Sequence, residues 1–148
     1  MVYKYLSPWN IIVTEGLHVM ENDVKLRIAD AAIMQLLEMT GTFSVKKMCG
    51  IDRCFIAPEI LVKDPSIVIT TKADVWSVGV MLYIIITGGM KDLVEPVIQS
   101  LESASIDNNT QALKHHMKQK FDFKEPEWQK FSEDIRKFVR RCLEFEPD

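Results

Sequence analysis

The chain opens on two short apolar runs, residues 10–13 (NIIV) and 24–29 (VKLRIA), separated by a Gly- and Asn-containing stretch. β-rich runs spaced in this way predict a small hairpin. From 30 to 60 the polarity is mixed, Gly41 and Gly50 interrupt it, and no period lasts. That segment is predicted to be a long ordered loop, a feature that in a compact domain usually serves function.

Helical patterning then takes over. Thr71 to Thr87 is apolar nearly all round, with Thr71 and Asp74 at capping-box spacing and Gly88-Gly89 as a stop. Such a helix belongs in the middle of a core. Leu93, Val94, Val97, Ile98 and Leu101 repeat at helical spacing, with Pro96 tolerable near a first turn. Asn108-Asn109 break the chain before a short helix at Thr110 to Lys118.

The last helix is the most amphipathic. Ser132 can cap it, Glu133 and Asp134 suit its positive end, and Pro147 is expected to end it. Ile135, Phe138, Val139, Cys142 and Leu143 form the predicted buried stripe, with Arg136, Lys137, Arg140 and Arg141 on a solvated face. The fold class is therefore mainly α, with a small β-hairpin at the start.

Composition narrows the function classes. The 148 residues suit one domain, 47% are hydrophobic and 26% charged, and the net charge is −3. No basic excess points to nucleic acid. The apolar run Val75 to Thr87, broken by Ser77, is too short for a membrane span, and the N-terminus lacks the order of a secretory signal, so a cytoplasmic protein is expected. Cys49, Cys54 and Cys142 match no zinc spacing and read as reduced thiols. His115 and His116 are adjacent and would not share a helix face to grip a metal.

Three segments in fixed order carry a specific likeness: Ala57-Pro58-Glu59 after Cys49-Gly50, then DVWSVGV (Asp74 to Val80), then the tail FDFKEPEWQKFSEDIRKFVRRCLEFEPD (Phe121 to Asp148). Together they resemble the C-terminal lobe of a eukaryotic Ser/Thr protein kinase, and the tail is most similar to the calcium-dependent and calmodulin-dependent kinase group. The resemblance extends over the whole chain. Residues 1–32 then hold the catalytic loop and a D-F-G-like region, 33–59 the activation segment, and 71–148 a helical core with an insertion at 89–109.

In that family the catalytic loop reads H-R-D-L-K-P-E-N, and here Tyr3-Lys4-Tyr5-Leu6-Ser7-Pro8-Trp9-Asn10 stands in its place. The resemblance implies ATP and Mg²⁺ as cofactors, with Asn10 and Asp30 at the two metal-holding positions, residue types that suit a hard cation. On the residues alone, both read as turn residues. The proton-accepting position holds Tyr5, whose phenol stays protonated at neutral pH, and the transition-state Lys position holds Ser7. Loss of the acceptor alone should cost about 10²–10⁴-fold in rate. Ala31 and Ala32 follow Asp30 where the family has Phe and Gly.

No G-x-G-x-x-G and no V-A-I-K-like Lys occurs in the sequence, so the N-terminal lobe is expected to be absent from this chain. The tail stops before the Arg that pairs with the A-P-E Glu in the family, so Glu59 is expected to be solvated or paired elsewhere. Asp74 has two readings, acid of a capping box and, by resemblance, acceptor for the catalytic-loop backbone. Thr40, Thr42 and Ser44 read as exposed hydroxyls, at positions where the resemblance places activation-loop phosphorylation, with Lys4 able to face such a phosphate.

Two functions follow as expectations. One is a catalytically inactive, pseudokinase-like fragment that binds neither ATP nor Mg²⁺ alone and acts on a protein partner or as a homodimer. Its surfaces would be the open face beside the absent lobe, the 89–109 insertion or the helix at 110–118. The other is part of an active kinase whose N-terminal lobe lies outside the chain.

Overall fold

The computed structural model describes residues 2–15, 24–41, 53–62, 68–88, 121–123 and 126–144. The predicted helices at 92–103 and 110–118, Cys49, both adjacent histidines, Thr42 and Ser44 lie outside them.

Strands β1 (Ile11–Glu15) and β2 (Lys25–Ile28) form the expected antiparallel hairpin, with Ile11 opposite Ile28 and Val13 opposite Leu26. A register irregularity between Val13 and Glu15 interrupts the ladder, and Lys25 forms an ion pair with Glu15 where β1 ends and β2 begins. A 3₁₀ turn, Pro8–Asn10, leads into β1.

The segment after β2 departs from the expected loop: helix α1 runs Ala31–Met39. Its sequence, AAIMQLLEM, is almost wholly strong helix formers and contains neither Gly nor Pro. Thr40 closes it, its hydroxyl donating to the carbonyls of Leu36 (3.0 Å) and Leu37 (3.2 Å), and Gly41 follows at φ +66. Three side chains on successive turns, Ile33, Leu36 and Met39, point to solvent.

Helix α2 (Pro58–Val62) is short and carries the Pro58-Glu59 pair on its first turn. Helix α3 (Lys72–Thr87) ends as predicted, on Gly88 in the left-handed region, whose N–H donates to the Ile84 carbonyl at 2.8 Å. Its start is a correction. Thr71 is helical in backbone (φ −60, ψ −14) and its side chain caps nothing. The cap hydroxyl belongs to Thr70, which accepts the Lys72 N–H at 3.3 Å. Nor is α3 buried all round, since Val75, Val78 and Ile85 are exposed.

The core lies on the other side of α3. Trp76, Val80 and Tyr83 face Leu6, Phe55, Ala57, Trp128 and Val139, all buried. Trp128, fully enclosed, sits on the 3₁₀ turn Pro126–Lys130. Rings meet edge-on or tilted around Tyr83: Phe121 at 5.1 Å, Trp128 at 5.4 Å and Phe123 at 5.7 Å between centroids. The Tyr83 hydroxyl donates to the Asp122 carbonyl and accepts the Asp122 N–H, so its one polar atom is satisfied.

Helix α4 (Glu133–Cys142) packs on α3. Ser132 caps it as expected, accepting the Ile135 N–H. The helix stops at Cys142, before Pro147, and only part of its predicted stripe is covered. Val139 and Cys142 are buried, whereas Ile135 and Phe138 are exposed. The cationic face is also less solvated than expected: the Arg140 guanidinium lies 4.8 Å from the Phe123 ring centre, and Arg136 is half-buried.

The two helices touch at Gly79. A Cβ built there would stand 2.7 Å from the Cys142 Cβ, a separation real carbon atoms do not adopt. Gly79→Ala is therefore expected to force α4 away from α3 and to destabilise the fold by about 1–3 kcal/mol. A urea titration of the variant checks this; an unchanged midpoint would show that the helices separate freely.

Candidate functional site

The residues at the catalytic-loop positions cluster where the chain from 2 to 10 passes over the start of α3. Asp74, on the first turn of that helix, accepts two backbone N–H groups: Tyr3 at Oδ2 (2.9 Å) and Lys4 at Oδ1 (2.8 Å). It makes no capping box. A side chain that can satisfy two amides of a loop 70 residues away is drawn off the local turn. Between those amides and the buried Tyr5, Lys4 adopts φ +71, a left-handed conformation that costs a non-glycine residue about 1–2 kcal/mol. The carboxylate bridge holds the strained residue in place.

Tyr3 spans the gap to β2. Its hydroxyl donates to the Ala29 carbonyl at 2.6 Å, which sets the loop beside Asp30. Asp30 is itself at φ +64, tolerated better by Asp than by bulkier residues because its short side chain fits the left-handed region. Burial, then the nearby carboxylates of Asp30 and Asp74, raises the Tyr3 phenol above its ordinary pKa. Burial likewise raises the Cys142 thiol, against a smaller opposing effect of Arg141. Both groups hold their proton more tightly when folded, so the unfolded chain loses it first. The contribution of these two groups to stability should be constant below about pH 8 and fall as pH rises through the ordinary thiol and then phenol ranges. Urea melts at pH 7, 9 and 10.5 would show it, and a flat profile would contradict it.

Tyr5, at the position where the resemblance expects the proton acceptor, does not face solvent. It is 7% exposed and belongs to the buried apolar set. Ser7, where the resemblance expects the Lys, is buried too, and its hydroxyl donates to Asn10 Oδ1 at 2.9 Å. The Asn10 N–H in turn donates to the Ser7 carbonyl at 3.0 Å. Side chain and backbone thus close the Ser7-Pro8-Trp9-Asn10 turn twice over. The amide oxygen that a metal ion would use already accepts one hydrogen bond inside the loop. Asn10 and Asp30 lie on neighbouring segments, joined by the Ala29 N–H to Asn10 carbonyl bond at 2.7 Å. Among the described residues no group of three or more His, Cys, Asp or Glu side chains could hold a metal ion.

Glu59 lies elsewhere. It is half-buried on α2 and forms no ion pair among the described residues. It borders an open groove of about 610 Å³ between α3 and α4, with Val75, Trp76, Phe138 and Cys142 as apolar lining and Lys72, Lys137 and Arg141 among its charges. This groove explains the exposed Phe138. Sequence patterning could not reveal it, because the same stripe that buries Val139 also supplies the groove wall. Thr40, the one expected phosphorylation position among the described residues, has its hydroxyl turned back onto α1.

A family model described as the protein kinase domain matches residues 1–148. The chain belongs to the protein kinase family. Its relatives include a probable myosin light chain kinase of Dictyostelium discoideum, 27% identical over 146 residues, covering 99% of this chain and 32% of the relative. A calcium/calmodulin-dependent protein kinase type 1 of Macrobrachium nipponense is 26% identical over 143 residues, 97% of this chain and 35% of that protein. Human serine/threonine-protein kinase H1 is 26% identical over 147 residues, 99% of this chain and 30% of its own length. The kinase chain described here thus spans about a third of the curated relatives it matches. Kinases of this family generally use ATP and Mg²⁺. No helix of the described residues is long and apolar enough to cross a membrane.

Proposed function

We propose that this chain is a C-terminal-lobe portion of a Ser/Thr protein kinase that is catalytically inactive and acts by binding protein. The observation that carries the reading is the burial of Tyr5. Phosphoryl transfer needs a base within hydrogen-bond reach of the substrate hydroxyl. A phenol packed in the core offers no such group, and an Asp30 and Asn10 pair could not replace it. The Ser7 bond to Asn10 adds to this, since it takes one of the two lone pairs of the oxygen that would meet Mg²⁺.

A thermal-shift titration with ATP and Mg²⁺ tests the proposal. The expected result is no change in Tm at millimolar nucleotide, with no label transferred to generic Ser/Thr peptides. Stabilisation that disappears in Asp30→Asn would overturn it, because that carboxylate acts only through a bound cation.

One observation favours a second reading. The relatives are about three times longer than this chain, and in this reading a nucleotide lobe is supplied by further sequence of a longer protein, with Asn10 and Asp30 as its metal-holding residues. Tyr5 and Ser7 would still leave such an assembly without its proton acceptor and its phosphate-neutralising Lys.

A further inference from the structure

We draw no further inference here: the strongest candidate, the open groove between α3 and α4 lined by Val75, Trp76 and Phe138 and bordered by Glu59, carries none, because nothing in the structure shows what covers it.

Discussion

Tyr5→Asp, the substitution that writes the family's proton acceptor back into the loop, is expected to destabilise the chain by about 3–5 kcal/mol and to yield no phosphotransfer. The position is 7% exposed, so the variant removes a packed aromatic ring and leaves a carboxylate in its place. An interior carboxylate must either pay its desolvation or take up a proton, and in both cases the ring's buried area is lost. Thermal denaturation should show a fall in Tm on the order of 10 °C or more. Adding Ser7→Lys should lower it further, because Ser7 is also buried and its bond to Asn10 would go. A double variant as stable as the wild type, transferring phosphate from ATP, would show that the loop is merely missing two side chains. The geometry argues otherwise. The interior has grown over the position, and reversal at one residue does not reopen it.

Asp74→Ala should have an effect of similar size by a different route. The carboxylate receives two backbone N–H groups at 2.8 and 2.9 Å. Hydrogen bonds to a charged group contribute roughly 1.5–3 kcal/mol each, so about 3 kcal/mol is expected from their combined loss. Lys4 would then lose the carboxylate's hold on its left-handed backbone and should relax, carrying Tyr3 away from the Ala29 carbonyl. Asp74→Asn separates charge from shape. It keeps one acceptor oxygen but sets an NH₂ against an N–H, so it should recover little of the loss. Hydrogen exchange at the Tyr3 and Lys4 amides would rise in both variants. Protection unchanged in Asp74→Ala would mean that other contacts hold the loop.

Local signals were legible where a few adjacent residues decide the outcome. The hairpin followed from two β-rich runs with a turn between them, the Ser132 cap from one hydroxyl before an acidic first turn, and the end of α3 from Gly88, the residue that tolerates φ +66. Helix α1 was missed for the opposite reason. Its residues favour a helix by propensity and Ile33, Leu36 and Met39 stand at helical spacing, yet the run is short and the mixed polarity with Gly41 and Gly50 beyond it hid it. Thr71 and Asp74 stand at the right spacing for a capping box, but the carboxylate found two stronger donors at the far end of the chain.

What the sequence by itself determined is the family, in a chain matched throughout by the protein kinase domain model, together with the order of motifs from which Tyr5, Ser7, Asn10 and Asp30 are proposed as its chemical positions. Order and spacing of motifs are properties of the chain alone, and they survive at 26–28% identity. Tertiary structure decided what those residues do. It buried Tyr5, turned Ser7 onto Asn10, bridged Tyr3 and Lys4 to Asp74, and left Phe138 and the α1 stripe exposed. Burial and long-range hydrogen bonding depend on which distant segments meet. A one-dimensional pattern records residue types, and the energies of those meetings are set only once the chain has folded.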